Sequence, residues 1–287
     1  MPYVLMSVRV VPVPALDDNL MYMVIDTATN LCGVVDPVDP VAIQQAASEQ
    51  GATIVCILTT HSHWDHDGGN IKLAEQCSTI KTIYGGLGDG VAGCTKEVGE
   101  NDEFTIGETT VRVLFTPCHT PGHVCYLVGD LHVFTGDTLF VSGCGNFNQG
   151  TPEQMTSAFD KLMGLPNSTQ VWVGHEYTKT NCNFACFIEP NNVKVAERLQ
   201  WATGQTSIHN GGTGTVPSTI GAEKNCNPFC RLDTRQIMEF CGNCEPRSER
   251  MRLVRKGKDD WGAARRKEAA AAVAAVEVVA SGAGGKK

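Results

Sequence analysis

No apolar run in this chain is long enough to cross a bilayer, so no membrane span is expected. No secretion leader is expected at the start of this sequence either. Met1 to Val13 is apolar, but Arg9 is its sole basic residue and no small-residue cleavage pattern follows. Positive charge is scarce: 23 Lys and Arg stand against 31 Asp and Glu, a net charge of -8. That balance argues against a nucleic-acid partner. An anionic ligand must then be caught by a local basic cluster, not by the overall field. Cysteine, by contrast, is plentiful. Thirteen residues, an odd number, without a leader read as reduced thiols in a cytoplasmic protein. The length of 287 residues and an apolar share of 42% allow one or two domains around a sizeable core.

The first two-thirds of the chain alternate strand-like runs with amphipathic helical stretches, the pattern of an α/β or α+β layered domain. Strands are expected over Val8 to Val13, Met21 to Ile25, Val34 to Val35, Thr53 to Leu58, Val111 to Phe115, Val124 to Val128, His132 to Thr135 and Val171 to Val173. Asp39-Pro40 opens a helix that Gly51 stops. Thr151 to Gln154 is a capping box, and Met155, Ala158, Phe159 and Leu162 behind it share one helical face. After about Pro190 the texture becomes helical, with Val193 to Ala202 and Asp233 to Phe240 as helices and a Gly/Ser/Thr-rich loop from Gly204 to Pro217. The expected division is a catalytic domain over 1–180, a helical substrate-binding domain over 181–261, and an Ala-rich tail over 262–287 that is a frayed helix or disordered.

The chemistry is concentrated in Thr59-Thr60-His61-Ser62-His63-Trp64-Asp65-His66-Asp67-Gly68-Gly69-Asn70. Three His and one Asp within six residues are too many to converge on one ion from so short a loop. The spacing suits two ions, with His61 and His63 on one and Asp65 and His66 on the other. The blander alternatives are a polar surface loop or a structural zinc site, but the latter usually includes Cys, and this loop has none. Gly68-Gly69 is expected to turn the backbone sharply before a following helix. Three further strands deliver a His or Asp at their C-terminal ends beside glycine: Thr116 to His123 with His119 and His123, Gly136-Asp137, and Gly174-His175. His132 and His209 are left as structural or solvent-facing.

These strings resemble a known family. T-H-x-H-x-D-H is a signature of the metallo-β-lactamase superfamily. Thr116-Pro117-Cys118-His119-Thr120-Pro121-Gly122-His123, the run Phe134 to Phe140, Gly143-Cys144-Gly145 and Val173 to Tyr177 are similar to glyoxalase II, the hydroxyacylglutathione hydrolases. The resemblance runs from about Val8 to Trp261. It implies an αββα four-layer sandwich with a smaller, mainly α-helical C-terminal domain. It implies that His61, His63 and His119 bind one divalent metal and Asp65, His66 and His175 a second, with Asp137 and a water or hydroxide bridging them. Zinc is the leading expectation, and iron and manganese also accept such ligands. His123 matches a position outside the ligand set. Asp65 and Asp137 would act in catalysis with the bridging water, which attacks the thioester of S-D-lactoylglutathione in the second step of methylglyoxal detoxification. A thiolate leaves without help, so no nucleophilic side chain is needed and Cys118 reads as structural.

The same resemblance assigns Arg255 and Lys258, in the densest basic stretch of the chain, to the glycine carboxylate of glutathione, with Tyr177 and His175 also at the ligand. One departure stands out: where the family carries Lys-x-Tyr after Gly-Cys-Gly, this chain has Asn146-Phe147-Asn148, which costs a charge and a phenol at the expected binding surface. Cys226, Cys230, Cys241 and Cys244 have a spacing that a structural zinc knuckle could use. The main rival function is a mononuclear-iron persulfide dioxygenase on the same fold. The expected partner is a small glutathione thioester, the expected state a monomer.

Overall fold

The computed structural model describes residues 8–147 and 149–282. Two six-stranded sheets form its centre. The first has the order β1 (Val8–Ala15), β2 (Asn19–Asp26), β3 (Leu31–Val35), β4 (Thr53–Leu58), β5 (Thr82–Gly86), β6 (Lys96–Val98). The second is built from β7 (Glu103–Ile106), β8 (Thr109–Phe115), β9 (Val124–Val128), β10 (His132–Gly136), β13 (Gln170–Val173) and β14 (Ser218–Thr219), with the order β14-β13-β10-β9-β8-β7. A small hairpin, β11 (Leu139–Phe140) with β12 (Gly143–Cys144), stands apart from both.

Strand β2 shows how the layers arise. Its side chains alternate, as a pleated strand requires. Leu20, Tyr22 and Val24 enter the core between the sheets, while Met21, Met23 and Ile25 face the outer core. That outer core also holds Ile43 and Ala47 of α1 (Pro40–Gln50) and Leu73 of α3 (Asn70–Gln76), beyond the short α2 (Trp64–Asp67). A strand covered on both faces needs a continuous apolar run, which Leu20 to Ile25 supplies. Each fully buried side chain of this size contributes about 1.5–3 kcal/mol.

The caps expected at α1 are present: Asp39 accepts from the amides of Val41 and Ala42, and Gly51 closes the helix at φ 61°. Thr151 and Gln154 form the capping box of α4 (Pro152–Met163), whose Met155, Ala158, Phe159 and Leu162 are buried. Gly68 and Gly69 do not serve a left-handed turn. Both lie in the right-handed region, and a Cβ on either would collide with backbone oxygen, of Trp64 for Gly68 and of Pro37 for Gly69. Close approach, not backbone reversal, requires these glycines.

The C-terminal part contains α5 (Thr178–Ile188), α6 (Val193–Gly204), α7 (Ile220–Cys226), α8 (Arg235–Phe240) and α9 (Arg247–Gly282). It is not a separate lobe: β14 pairs antiparallel with β13 and extends the second sheet. The position 180/181 falls within α5, and 261/262 within α9. As far as Gly282 the Ala-rich stretch continues α9, the helical one of the two expected readings, in keeping with the helix preference of Ala. Met251 and Val254 of α9 are fully buried in the main core, one helical turn apart, and this fixes the helix that carries Arg255 and Lys258. No helix among the described residues is long and apolar enough to cross a membrane.

Candidate active site

Loop tips at one end of the two sheets bring seven side chains together. His61, His63 and His119 form one group with metal-ligand spacing, and Asp65, His66 and His175 form another. In the first, His61 Nε2 lies 3.1 Å from His63 Nδ1, and His119 Nε2 lies 3.0 Å from the same atom. In the second, His66 Nε2 and His175 Nε2 are 3.2 Å apart, and Asp65 Oδ2 is 3.5 Å and 3.4 Å from them. Asp137 stands between the groups. Its Oδ1 is 3.5 Å from both His66 Nε2 and His175 Nε2, and its Oδ2 is 3.5 Å from His119 Nε2.

Four of the five histidines have the outer ring nitrogen committed to an acceptor. His66 Nδ1 donates to Asp36 Oδ2 at 3.0 Å, His175 Nδ1 to Asp18 Oδ1 at 2.7 Å, and His119 Nδ1 to the Asn146 carbonyl at 2.7 Å. Thr60 gives its hydroxyl proton to Asp36 Oδ2, which leaves its oxygen to accept from His61 Nδ1 at 3.0 Å. With one proton per neutral ring placed outward, the inward nitrogens present lone pairs to one another. Lone pairs facing at about 3 Å call for a cation between them. A polyhedron with such edges has its centre about 2 Å from each corner, the usual zinc–nitrogen and zinc–oxygen distance. Asp137 Oδ1 is buried and lacks a hydrogen-bond donor, as a metal-binding oxygen would. The residues present therefore fit a pair of divalent ions.

Electrostatics agree. Burial drives His61 well below the ordinary imidazole range and also lowers His119, so both offer neutral nitrogen. Burial opposes charge on His66 too, but Asp137, Asp36 and Asp65 outweigh it and push the ring up to about 9. For Asp137, burial works against ionisation, yet His66, His175 and His119 hold the carboxyl well below its usual range. A cluster that draws positive charge this strongly will exchange protons for metal cations.

Several residues that frame the cluster were not anticipated. Asp36 also accepts from the Thr60 amide at 2.7 Å. Asn19 Nδ2 donates to Asp65 Oδ2 at 3.1 Å and to the Asp65 carbonyl at 3.0 Å. Asp89 accepts from the amides of Ser62 and Gly122, tying the two His-bearing loops together. Asp36 did carry a signal, since it follows the strand Leu31–Val35 as Asp137 follows His132–Gly136. Asp18 and Asp89 lie in turns without such a pattern. His123, fully buried, accepts from the Asp137 amide at 3.2 Å and stacks on His61. Gly174 is required by space: a Cβ there would sit 2.5 Å from Asp137 Oδ1 and 2.9 Å from His66 Cε1.

Beside the cluster runs the segment of β12. Cys144 gives its carbonyl to Arg255 Nη1 at 2.7 Å, and Asn146 gives its carbonyl to His119. The segment thus touches both the His/Asp cluster and the cationic helix. Asn146 is exposed and Phe147 half-buried, while Asn148 lies outside the described residues. Arg255 also pairs with Asp259, and Lys258 Nζ donates to Asn181 Oδ1. Burial, then the charge of Arg255, pushes Lys258 down to about 7. Tyr177 stacks on the His175 ring with centroids 4.9 Å apart and planes at 4°.

The Cys226, Cys230, Cys241 and Cys244 set is not brought together. No group of metal-spaced donors among the described residues contains a cysteine, and Cys226 Sγ points to the Lys194 carbonyl while Cys241 Sγ points to that of Arg250. Cys118 is buried, and its thiol is pushed up to about 12 by that burial. It stays protonated at neutral pH and is no nucleophile.

Comparison with known proteins agrees with this geometry. The metallo-beta-lactamase superfamily pattern matches residues 17–175, and that of the hydroxyacylglutathione hydrolase C-terminus matches residues 176–261. Over 260 residues, 88% of this chain and 99% of the relative, the sequence is 45% identical to a cytoplasmic hydroxyacylglutathione hydrolase from Arabidopsis thaliana. Among solved structures, ETHE1 from Myxococcus xanthus aligns with a TM-score of 0.62 at 25% identity, covering 87% of this chain and 90% of its own. A metallo-beta-lactamase from Staphylococcus aureus subsp. aureus COL aligns with a TM-score of 0.57 at 20% identity, covering 88% of this chain and 72% of its own, and shares the fold. With these matches over both parts of its sequence, the chain belongs to the hydroxyacylglutathione hydrolase family of the metallo-beta-lactamase superfamily.

Proposed function

We propose that this protein hydrolyses the thioester of 2-hydroxyacylglutathiones, S-D-lactoylglutathione first among them, to glutathione and the free hydroxy acid. The observation that carries the reading is the Gly143–Cys144 segment and its extension to Asn146, which joins a two-metal ligand cluster to a pair of cations suited to a carboxylate. His61, His63 and His119 would hold one ion, Asp65, His66 and His175 the other, and Asp137 would place one oxygen on each. Zinc suits this donor set first, and iron and manganese also accept it. When bound, the metals supply a solvent nucleophile near neutral pH and Lewis acidity toward the thioester carbonyl.

The chain's own residues do the rest. Asp137 is the shared carboxylate that sets the separation of the two groups. Asp65, partly exposed and held at Oδ2 by Asn19, is the carboxylate placed beside the second group to orient the attacking solvent. Arg255 and Lys258 bind the glycine carboxylate, and Tyr177, with Asn146, Phe147 and Asn148, lines the peptide. We assign the substrate-binding role to 181–261 on this basis. A monomer is the proposed state and the cytoplasm the proposed compartment.

The test is hydrolysis of S-D-lactoylglutathione by metal-replete protein. Absence of turnover with two ions bound would overturn the reading. One rival on the same fold is a mononuclear-iron persulfide dioxygenase. That chemistry leaves one complete triad without a use, and metal count with oxygen consumption separates the two.

A further inference from the structure

The turn between β1 and β2 carries two side chains that touch the second triad. Asp18 accepts from His175 Nδ1, and Asn19 donates to Asp65. This turn is not self-sufficient. Leu16 sits in it at φ 49°, the left-handed region that an L side chain occupies at a cost, and is itself exposed. The turn is held on one side by the backbone around the third ligand, where the Glu176 amide donates to the Asp18 carbonyl and the Leu20 amide to the Gly174 carbonyl.

On its other side it is held by a residue from far along the chain. His209 Nε2 faces the Ala15 carbonyl at 3.2 Å and the Asn19 carbonyl at 3.0 Å. Those two residues are paired across the mouth of the hairpin. A ring nitrogen between two carbonyl oxygens must carry the proton, so His209 is a donor clamped across the hairpin. The ring is fixed in turn. Ser207 Oγ accepts from the His209 amide at 3.2 Å and donates to Glu176 Oε2, and Glu176 Oε1 accepts from the Thr215 amide at 3.0 Å.

Ser207, His209 and Glu176 have the composition of a nucleophilic triad but not its wiring. The serine proton goes to Glu176 Oε2 and not to His209 Nδ1, which lies 3.4 Å from Ser207 Oγ, while His209 Nε2 donates to carbonyls and not to the carboxylate, so the serine–histidine–acid relay of a triad is not formed. What the arrangement does is brace a turn.

We propose that His209 is a positioning residue for the Asp65–His66–His175 triad, acting through Asp18 and Asn19. The inference rests on the metal reading of that triad. It assigns to the Ser207–His209 stretch a part in building that one site, whereas the His61–His63–His119 group is supported by Thr60 and the Asn146 carbonyl.

The test uses the full chain loaded with zinc, and reads two dissociation constants by chelator competition. His175→Ala marks which step belongs to the second triad, and thermal unfolding monitors the fold. In His209→Ala the second-triad constant should weaken about tenfold, the low end for loss of a group supporting a ligand, with the first unchanged. His209→Gln, whose amide nitrogen can donate to the same carbonyls, should restore most of the loss. Equal constants in wild type and His209→Ala would overturn this inference alone. So would parallel weakening of both sites, or a folded His209→Gln that fails to rescue. A wild-type chain that takes up only one ion would overturn the two-metal reading, and this inference with it.

Discussion

The two ends of the site are built in different ways. At the His/Asp end, the proposed ligands arrive from four separate loop tips, and His61, His66, His119 and His175 each have the outer nitrogen pinned by an acceptor on another residue. At the cationic end, Arg255 and Lys258 sit on one helix, and each is held by a carbonyl or amide oxygen of a neighbouring segment. The first end is over-determined, as catalysis requires, because reacting groups must be placed within a fraction of an ångström. The second tolerates adjustment, since a carboxylate held by charge needs less exact placement. Damage at the first end should therefore appear in kcat and metal content, and damage at the second in KM.

The largest break is His66→Ala. It removes a ligand from the second triad and should cut zinc content from two ions to one, with kcat lower by about 10³-fold, the equivalent of several kcal/mol of Lewis-acid stabilisation. Two ions retained with near-normal turnover would refute the ligand assignment. Gly174→Ala tests the same end without touching a ligand. Its new methyl would meet Asp137 Oδ1 at 2.5 Å, so the carboxylate must move. A displacement of this kind costs about 10²-fold in kcat, with KM little changed. Equal kinetics would show that the cluster is softer than its contacts indicate.

The contrast also explains what the sequence revealed. The metal end was legible because its chemistry is local. Three His and an Asp in six residues, with further His and Asp at strand ends beside glycine, form a donor pattern that can be read without the fold. Long apolar strands such as Val124–Val128 and the capped helix at Pro40 were legible for the same reason. Short, charged or Gly-bearing strands were not: Thr82–Gly86, Lys96–Val98 and Glu103–Ile106 take their place from neighbours in the sheet, which periodicity does not record. Asp18 was missed, and His209 could be read only as structural or solvent-facing, because their partners are 157 and up to 194 residues away along the chain. Arg255 and Lys258 read as an ordinary charged helix until the resemblance assigned them a role.

At the cationic end the effects are smaller and separable. Lys258→Ala should raise KM for the thioester about tenfold, as expected for loss of one charge-assisted hydrogen bond, with kcat within about twofold. Arg255→Ala should do more. It also frees the Cys144 carbonyl, loosening the segment whose Asn146 carbonyl orients His119, so kcat falls along with KM. If both variants change KM alone, the two ends are independent despite the shared segment.

A pH series sharpens the point. Lys258 is held down to about 7 by burial and by Arg255. Below that pH its ammonium is charged and can bind a carboxylate, and as pH rises through about 7 the free protein loses this charge. Affinity for a non-hydrolysable S-alkylglutathione, measured by calorimetry, should therefore fall between pH 6 and about 8.5, approaching the Lys258→Ala value. Lys258→Arg, which keeps its charge, should flatten the curve. A wild-type profile that is already flat would remove Lys258 from the binding site.

The smallest expected change concerns the residues that depart from the family pattern. The side chain of Asn146 is exposed, while its backbone carbonyl does the structural work of accepting from His119 Nδ1. Replacing the side chain should leave the metal end intact. Asn146→Lys adds an exposed cation beside a bound peptide, and such surface pairs contribute only about 0.2–1 kcal/mol. Together with Asn148→Tyr, it should lower KM by roughly twofold to fivefold at unchanged kcat and metal content. A lower KM would show that recognition in this chain is weaker for want of these groups. An unchanged KM would mean that the helix bearing Arg255 and Lys258 already supplies the carboxylate contact in full, and that Asn146 and Asn148 are neutral replacements.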